Sequence, residues 1–446
     1  MRSIKFSTTS RLSNWTWINI TQGNRSHFAN QEEFENCLGK FTAKLKEVGV
    51  DAKSPLPGTE VGLEHETFER EINDAIGDLM NKHNPELILT ILPFNDTKIY
   101  NCVKKACDIR HGVRNVNVLA ERFKGCNEQY FANVGLKFNL KLGGINQVVK
   151  MKQLEIIGQD KTMLLGIDVT HPSPGSAKGA PSVAAMVASI DSSLGQWPAE
   201  IRVQKEARNE MVDALDSMLK EHLRRWASSH KDAYPENIIV YRDGVSEGQY
   251  DLVTSKELPL LKAACKAIYP AALTANNLPR FSIIIVGKRH HTRFYPSRQE
   301  DADRSNNPSH GTVVDRGVTE ARNWDFFLQA HTALKGTARP AHYYTVWDEI
   351  FLNLKPALPA QNAADILEEM THHMCYLFGR ATKAVSICPP AYYADLVCTR
   401  ARCYLSRAFE PGTPSGSVIG SEEPGVTVES SEVSIHPEVK DTMFYI

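Results

Sequence analysis

The sequence predicts a two-part α/β protein, and three observations carry that reading. A chain of 446 residues is too long for one ordinary core and points to two or three domains of about 150 residues each. Hydrophobic residues at 42% and charged residues at 23% describe a globular chain with a core to bury, which excludes collagen-like, coiled-coil and wholly disordered classes. Short apolar runs alternate with stretches of helical spacing, the pattern of strands and helices packed in layers.

In chain order, Glu64 to His83 has helical spacing, and Pro85 to Pro93 (PELILTILP) is an apolar run bounded by prolines, as a buried parallel strand is. Lys98 to Val118 and Asn127 to Val149 alternate apolar and basic residues up to a Gly143-Gly144 break, so a first domain is expected over 1–150. A second, over 151–446, has a different rhythm. Met163–Thr170, Pro181–Ile190, Ile201–Gln204, Asn237–Asp243 and Phe281–Val286 read as strands, separated by helical stretches around Glu210–Trp226 and Val253–Ile268. That order suits a mixed sheet with helices on its faces. Pro411 to Val439, rich in Pro, Gly, Ser and Glu, is expected to be a flexible insertion. The apolar ending TMFYI is expected to dock back into the fold.

The longest apolar runs, Leu87–Leu92 and Val183–Val187, fall far short of the ~20 residues that cross a bilayer. The opening MRSIKFSTTSRLSNWTW has no apolar stretch behind its basic residues, so no secretory signal is read and a cytoplasmic protein is expected. Nine cysteines without a C-x-x-C pair suggest neither a disulfide framework nor a zinc ribbon, and are expected to be reduced, buried thiols. The net charge of −1 conceals an uneven distribution: Lys98–Lys150 holds ten Lys/Arg against three Asp/Glu, and Phe409–Ile446 holds seven acids against Lys440. A local positive field is enough to attract an anion, although charge alone reads equally as a solvated face.

Two acids end apolar strands: Asp168 in LLGIDVTHP and Asp243 in IIVYRDGVSEGQ. Both project at one sheet edge. A carboxylate there is costly to bury without a cation; one such Asp reads as a cap or turn residue, and two on parallel-type strands favour a metal site.

The segments DVTHP, YRDGVSEGQ, KRHHTRF, GTARPAHYY and PPAYYADLV, in that order, resemble the PIWI domain of eukaryotic Argonaute proteins, and the upstream segment resembles their MID domain. The likeness runs from about Leu87 to the C-terminus and is nearest to fungal Argonautes of the quelling type. It implies a Rossmann-like MID domain over 1–150 followed by an RNase H-like PIWI domain over 151–446. It further implies small-RNA-guided silencing: the MID domain holds the 5′-phosphate of a guide, and the PIWI domain cleaves the paired target RNA with two Mg²⁺ or Mn²⁺ ions. The implied partners are a small guide RNA, a complementary target RNA and silencing-complex proteins, with no membrane. A module that holds guide and target and recruits partners without cutting is the alternative.

Carried over residue by residue, the resemblance assigns catalysis to Asp168, Glu210, Asp243 and Asp395, with Asp168, Asp243 and Asp395 as metal ligands. Asp395 follows the AYYA tetrapeptide, where many members carry His; a carboxylate there favours a hard ion. Glu210 is chosen from the R-N-E triplet of IRVQKEARNEMV, and Glu206 is its competitor. His171 is expected to orient the loop beside it. His290-His291, among Lys288, Arg289, Arg293 and Arg298, read as phosphate contacts in preference to a zinc pair. The guide 5′-phosphate falls to Tyr100, Lys104, His111, Lys137, Lys141 and Arg400, and the guide backbone to Arg339, His342, Arg380, Lys383 and Ser386. Tyr100 and Lys104 are four residues apart and share a face if that segment is helical; Lys137 and Lys141, also four apart, share one in either a helix or a strand.

Overall fold

The computed structural model describes residues 5–22, 27–64, 67–150, 154–204, 208–354, 362–409 and 426–446. By contact the chain forms two compact units: Met1–Gln147 with Pro172–Ala180 and Thr399–Ile446, and Val148–His171 with Pro181–Cys398. One helix, Pro389–Tyr404, contributes Asp395 to the second unit and Arg400 to the first.

In the first unit, the short strands β1 (Arg11–Leu12) and β3 (Asp51–Ala52) pair with each other, while β2 (Trp15–Gln22), β4 (Thr59–Leu63), β5 (Leu87–Leu92) and β6 (Arg114–Leu119) form an all-parallel sheet in the order β4-β2-β5-β6. Every residue of β5 is buried, as expected of a parallel strand covered on both faces. Leu87, Leu89 and Ile91 pack with Phe41 of the helix Gln31–Glu47 and Phe138 of the helix Glu128–Lys141. Ile88 and Leu92 pack on the opposite face with Ile76 of the helix Phe68–His83 and Val103 of the helix Thr97–Lys105. Two caps fix where the functional helices begin: Asp96 accepts from the Ile99 amide at 2.9 Å and Asn127 from that of Tyr130 at 2.9 Å. This is the Rossmann-like arrangement. The alternating stretch from Asn127 is therefore a helix.

The second unit is built on an eight-stranded mixed sheet. Its strands are β7 (Thr162–Thr170), β8 (Val183–Ala188), β9 (Ala199–Val203), β10 (Asn237–Asp243), β11 (Arg280–Gly287), β12 (Thr312–Val314), β13 (Asp325–Gln329) and β14 (Ala341–Asp348), in the order β12-β13-β14-β11-β10-β7-β8-β9. β10 runs parallel to β7 and β11, and the other pairings are antiparallel. Leu165, Ile167, Val240 and Ile283 bury one face against the helices Leu215–Ser229 and Leu258–Ile268. This is the RNase H-like arrangement.

Two expectations are corrected. The helix expected from Glu210 begins at Leu215, so Glu210 lies in the segment leading into it. The flexible stretch was carried too far: 410–425 lie outside the described residues, but from Val426 the chain is folded. The Val426 amide bonds the Lys178 carbonyl at 2.9 Å, Val433 and Val439 are buried, and the His436 amide bonds the Asp108 carbonyl at 2.9 Å. The two buried valines supply the apolar anchors that overall composition conceals. The apolar ending docks as expected, with Met443, Phe444, Tyr445 and Ile446 all buried. No helix among the described residues is long and apolar enough to cross a membrane.

Candidate active site and candidate phosphate anchor

Parallel pairing sets Arg242 of β10 beside Ile167 of β7, so the next residues, Asp243 and Asp168, stand at the same carboxyl edge. The helix Pro389–Tyr404 approaches closely because β7 carries Gly166, where a Cβ would come within 1.9 Å of the Pro390 carbonyl oxygen; this brings Asp395 to the same edge. Gly244 closes the site from below. It has φ +88°, and a side chain there would press on Glu210 Oε1 at 3.2 Å and Asp168 Oδ1 at 3.4 Å. The acids feel one another. Asp243 is pushed up to about 7, by burial first and then by Asp168 and Asp395; Asp168 is raised, chiefly by burial.

Glu210 is held from several sides. His171 Nε2 lies 2.7 Å from its Oε2, while His171 Nδ1 lies 2.8 Å from Ser182 Oγ, so this histidine positions the glutamate as well as its own loop. Fully buried Arg242 reaches Glu210 Oε1 at 2.9 Å and also donates to the Glu210 carbonyl. Buried Glu257 accepts from Arg242 Nε at 3.1 Å and from the Val212 amide at 3.0 Å. Gln204 donates to the carbonyls of Asn209 and Met211, each at 3.0 Å. The competitor Glu206 lies outside the described residues. Glu210 Oε1, although ion-paired, is a buried oxygen with no hydrogen-bond donor, which is the kind of atom a cation satisfies.

The second cluster lies within the first unit. Lys104, Lys141 and Arg400 are all buried. Lys104 Nζ donates to Asn115 Oδ1 at 2.7 Å and to the Asn115 carbonyl at 3.0 Å, and it lies 5.6 Å from the centre of the Tyr100 ring. Lys141 donates to the Phe444 carbonyl. Arg400 bonds Asp108 Oδ2 at 2.6 Å, the Phe444 carbonyl at 2.8 Å and Tyr100 Oη at 3.3 Å. Tyr404 Oη donates to the same Asp108 oxygen at 2.8 Å. Lys104 is lowered to about 7, by burial first and by Arg400 second. Lys141 is lowered well below its ordinary value, by burial first and then by Lys104 and Arg400, with half-buried Lys137 adding to the repulsion. His111 does not join them: its ring faces Asn73 at 3.2 Å and packs against Gly77. The residue that stands beside Lys104 is Asn115.

The residues assigned to a guide backbone are less tightly gathered. Lys288 Nζ bonds Ser386 Oγ, and Arg339 is near enough to lower the Lys288 pKa after burial has done so. His342 is occupied by buried Asp325 at 2.6 Å and stacks on Phe327. Arg380 is half-buried and Lys383 exposed. His290 contacts the Pro340 carbonyl at 2.9 Å, and Arg298 is drawn to Glu300 and Asp301.

Residues 87–406 match the Piwi domain family. Protein argonaute 1A of Oryza sativa subsp. japonica is 34% identical over 98% of this chain. The chain belongs to the Argonaute family. Protein argonaute 5 of Arabidopsis thaliana is 36% identical over 84% of it. This Argonaute chain spans 42% and 38% of the lengths of those two relatives. Among solved structures, the C-terminal lobe of a budding yeast Argonaute matches with a TM-score of 0.82 at 28% identity, over 99% of this chain and 87% of that one. Kluyveromyces polysporus Argonaute with a guide RNA gives 0.82 at 29%, over 99% and 52%. The N. crassa QDE-2 AGO MID-PIWI domains give 0.70 at 31%, over 99% and 100%. The Argonaute MID–PIWI lobe is thus the part of the family present here.

Arg242, Glu257, Asp108 and Asn115 escaped the sequence reading of this Argonaute chain. The first two have a stability consequence. Arg242→Met leaves Glu257 buried without its cation, which is expected to destabilise the chain by about 3–5 kcal/mol. The double substitution Arg242→Met/Glu257→Leu is expected to recover part of that loss, the Arg242 contacts to Glu210 and the acceptor of the Val212 amide remaining lost, as urea unfolding of the two variants would show.

Proposed function

We propose that this Argonaute lobe is an RNA-guided endoribonuclease that anchors the 5′-phosphate of a small guide RNA at Lys104, Lys141 and Arg400 and cuts the paired target RNA at its carboxylate edge. The observation that carries the reading is the charge imbalance of the buried cluster: Lys104, Lys141 and Arg400 gather about buried Asp108, and the two lysines have their proton affinity lowered by burial and then by their cationic neighbours. A phosphate dianion relieves that repulsion. Tyr100, half-buried beside Lys104, offers a ring on which the first base can stack. Lys288, Arg339, Arg380, Lys383, Ser386 and His342 are proposed to contact the guide backbone, setting register while base pairing selects the target. Silencing-complex proteins are proposed further partners, in a quelling-type pathway in the cytoplasm.

Asp168, Asp243 and Asp395, with Glu210, are oxygen donors suited to Mg²⁺ or Mn²⁺, and Glu210 Oε1, ion-paired with Arg242 but accepting no hydrogen bond, fits that demand. Among the described residues no three such side chains converge closely enough to hold an ion; these acids line one edge without closing into a coordination shell. When bound, the ions would stabilise charge during in-line displacement at a phosphodiester. The protein's own contribution is positional: Arg242 and His171 hold Glu210 toward Asp168, and Gly244 leaves the room it needs.

The anchor makes a pH prediction. Because Lys104 is lowered to about 7 in the folded chain, it is largely neutral above that pH and must gain a proton to bind phosphate. Binding of a 5′-phosphorylated guide at about pH 8 should therefore take up protons, and its advantage over a 5′-hydroxyl guide should shrink as pH rises toward 9. The guide-free chain should follow the opposite trend, gaining stability from about pH 7 upward as the unfolded chain retains the proton that the folded chain has lost. Calorimetry in buffers of different ionisation heat tests this; heats that do not depend on buffer would count against the anchor.

A further inference from the structure

Two of the scattered cysteines meet. Cys37 lies on the buried side of the helix Gln31–Glu47, and Cys126 lies in the turn between the helices Ala120–Lys124 and Glu128–Lys141. They are 89 positions apart in sequence, yet their sulfurs stand 3.1 Å apart, about 1 Å beyond the ~2.05 Å of a disulfide. The surroundings hold them together. Cys37 Sγ faces the Lys124 carbonyl at 3.8 Å, Lys124 Nζ reaches Glu33 at 3.2 Å and the His27 carbonyl at 2.9 Å, and the Cys126 amide donates to the Phe123 carbonyl at 3.1 Å. The turn is thus fastened to the helix by Lys124 before Cys126 and by Glu128 beyond it, which Lys44 Nζ of the same helix reaches at 3.2 Å.

We propose that Cys37 and Cys126 form a redox-active dithiol that closes to an intramolecular disulfide and pins the turn from which the helix bearing Lys137 and Lys141 starts. The oxidant is a low-molecular-weight disulfide such as glutathione disulfide. Cys126 is half-exposed and Cys37 is 3% exposed, so Cys126 reacts first. Its thiolate attacks one sulfur of glutathione disulfide and releases one glutathione thiolate. Cys37 then loses its proton and attacks the Cys126 sulfur, expelling the second glutathione. The two protein thiols give up two protons and two electrons, and the glutathione disulfide takes them up as two thiols. The order agrees with the Cys37 thiol, which burial and Cys126 push up to about 12: it is the sulfur that resolves, not the one that meets the oxidant. Cys102 and Cys403 are also half-buried, so the products are distinguished by peptide mapping and not by total thiol loss.

The test uses the full chain treated with glutathione disulfide, freed of reagent and digested without reductant. Wild type should yield a peptide joining Cys37 to Cys126, and the intact chain should lose two hydrogens at that pair. Cys37→Ser should stop at a glutathionylated Cys126, and Cys126→Ser should carry nothing at Cys37. Amide exchange across 123–130 should slow about tenfold in the cross-linked chain. Wild type that carries glutathione on Cys126 without the joined peptide would overturn the proposal, as would a cross-link that leaves exchange in that turn unchanged.

Discussion

Asp168→Asn, Asp243→Asn and Asp395→Asn are each expected to lower guided target cleavage by on the order of 10³-fold while leaving the preference for a 5′-phosphorylated guide intact. The two halves of that result come from different units. Asp168 and Asp243 close the carboxyl edge of β7 and β10, Asp395 reaches the same edge from its helix, and the cation cluster is assembled wholly within the other unit. Asparagine keeps the shape of each side chain and removes the charge that a divalent ion requires. Where carboxylates crowd one edge, losing one relieves repulsion, so the ion-free variants should melt no earlier than wild type. Wild type, and not the variants, should gain thermal stability from millimolar Mg²⁺ or Mn²⁺. Single-turnover cleavage and melting curves with and without the ions check both parts. A variant that still cuts at the wild-type rate removes its residue from the site. Glu210→Gln belongs in the same series, and Glu206→Gln beside it decides between the two glutamates.

Lys104→Ala, Lys141→Ala and Arg400→Ala are each expected to reduce the affinity ratio between 5′-phosphorylated and 5′-hydroxyl guides by roughly tenfold or more, since one charge-assisted contact contributes about 1.5–3 kcal/mol. Lys137→Ala, at the half-buried margin of the cluster, should do the same more weakly. His111→Ala should leave the ratio unchanged, because its ring is engaged with Asn73. Asn115→Ala should lower it, because the Asn115 side chain accepts from the Lys104 ammonium at 2.7 Å and is itself fixed by donating to the Ile88 carbonyl and Thr90 Oγ1. The ratio is the quantity to measure, at one ionic strength, because salt weakens both guides together. Equal ratios in wild type and variants would reduce these lysines to structural cations.

The parts of the fold legible in sequence were those with a local signature. PELILTILP announced a strand buried on both faces, and strand-end aspartates in apolar runs announced an edge where charge must be compensated. Tyr100/Lys104 and Lys137/Lys141 were assigned by the family resemblance; the four-residue spacing says only that the members of each pair can share a face. His111 was assigned through the family resemblance alone, as the counterpart of a glutamine; Ala106–His111 winds as a π-helix, whose wider turn changes the phase of the later residues, and its ring faces Asn73. Asn115 had no signal, being a neutral amide in a strand whose value depends on the lysine it meets. Glu210 was chosen by motif and not by geometry: its position depends on Arg242, His171 and Gln204, which converge only after folding. The Cys37–Cys126 contact was invisible for the same reason, 89 positions of chain separating two ordinary thiols.

The measurement that bears most directly on the central claim is single-turnover cleavage of one long RNA by this chain loaded in turn with two 5′-phosphorylated guides matched to different stretches of it, in Mg²⁺ and in a chelator. One cut per guide is expected, each within the stretch its guide pairs with, and none in chelator or in Asp168→Asn. Both guides bound with full phosphate preference, but no cut in Mg²⁺ or Mn²⁺, would contradict it and leave a module that holds guide and target without cutting.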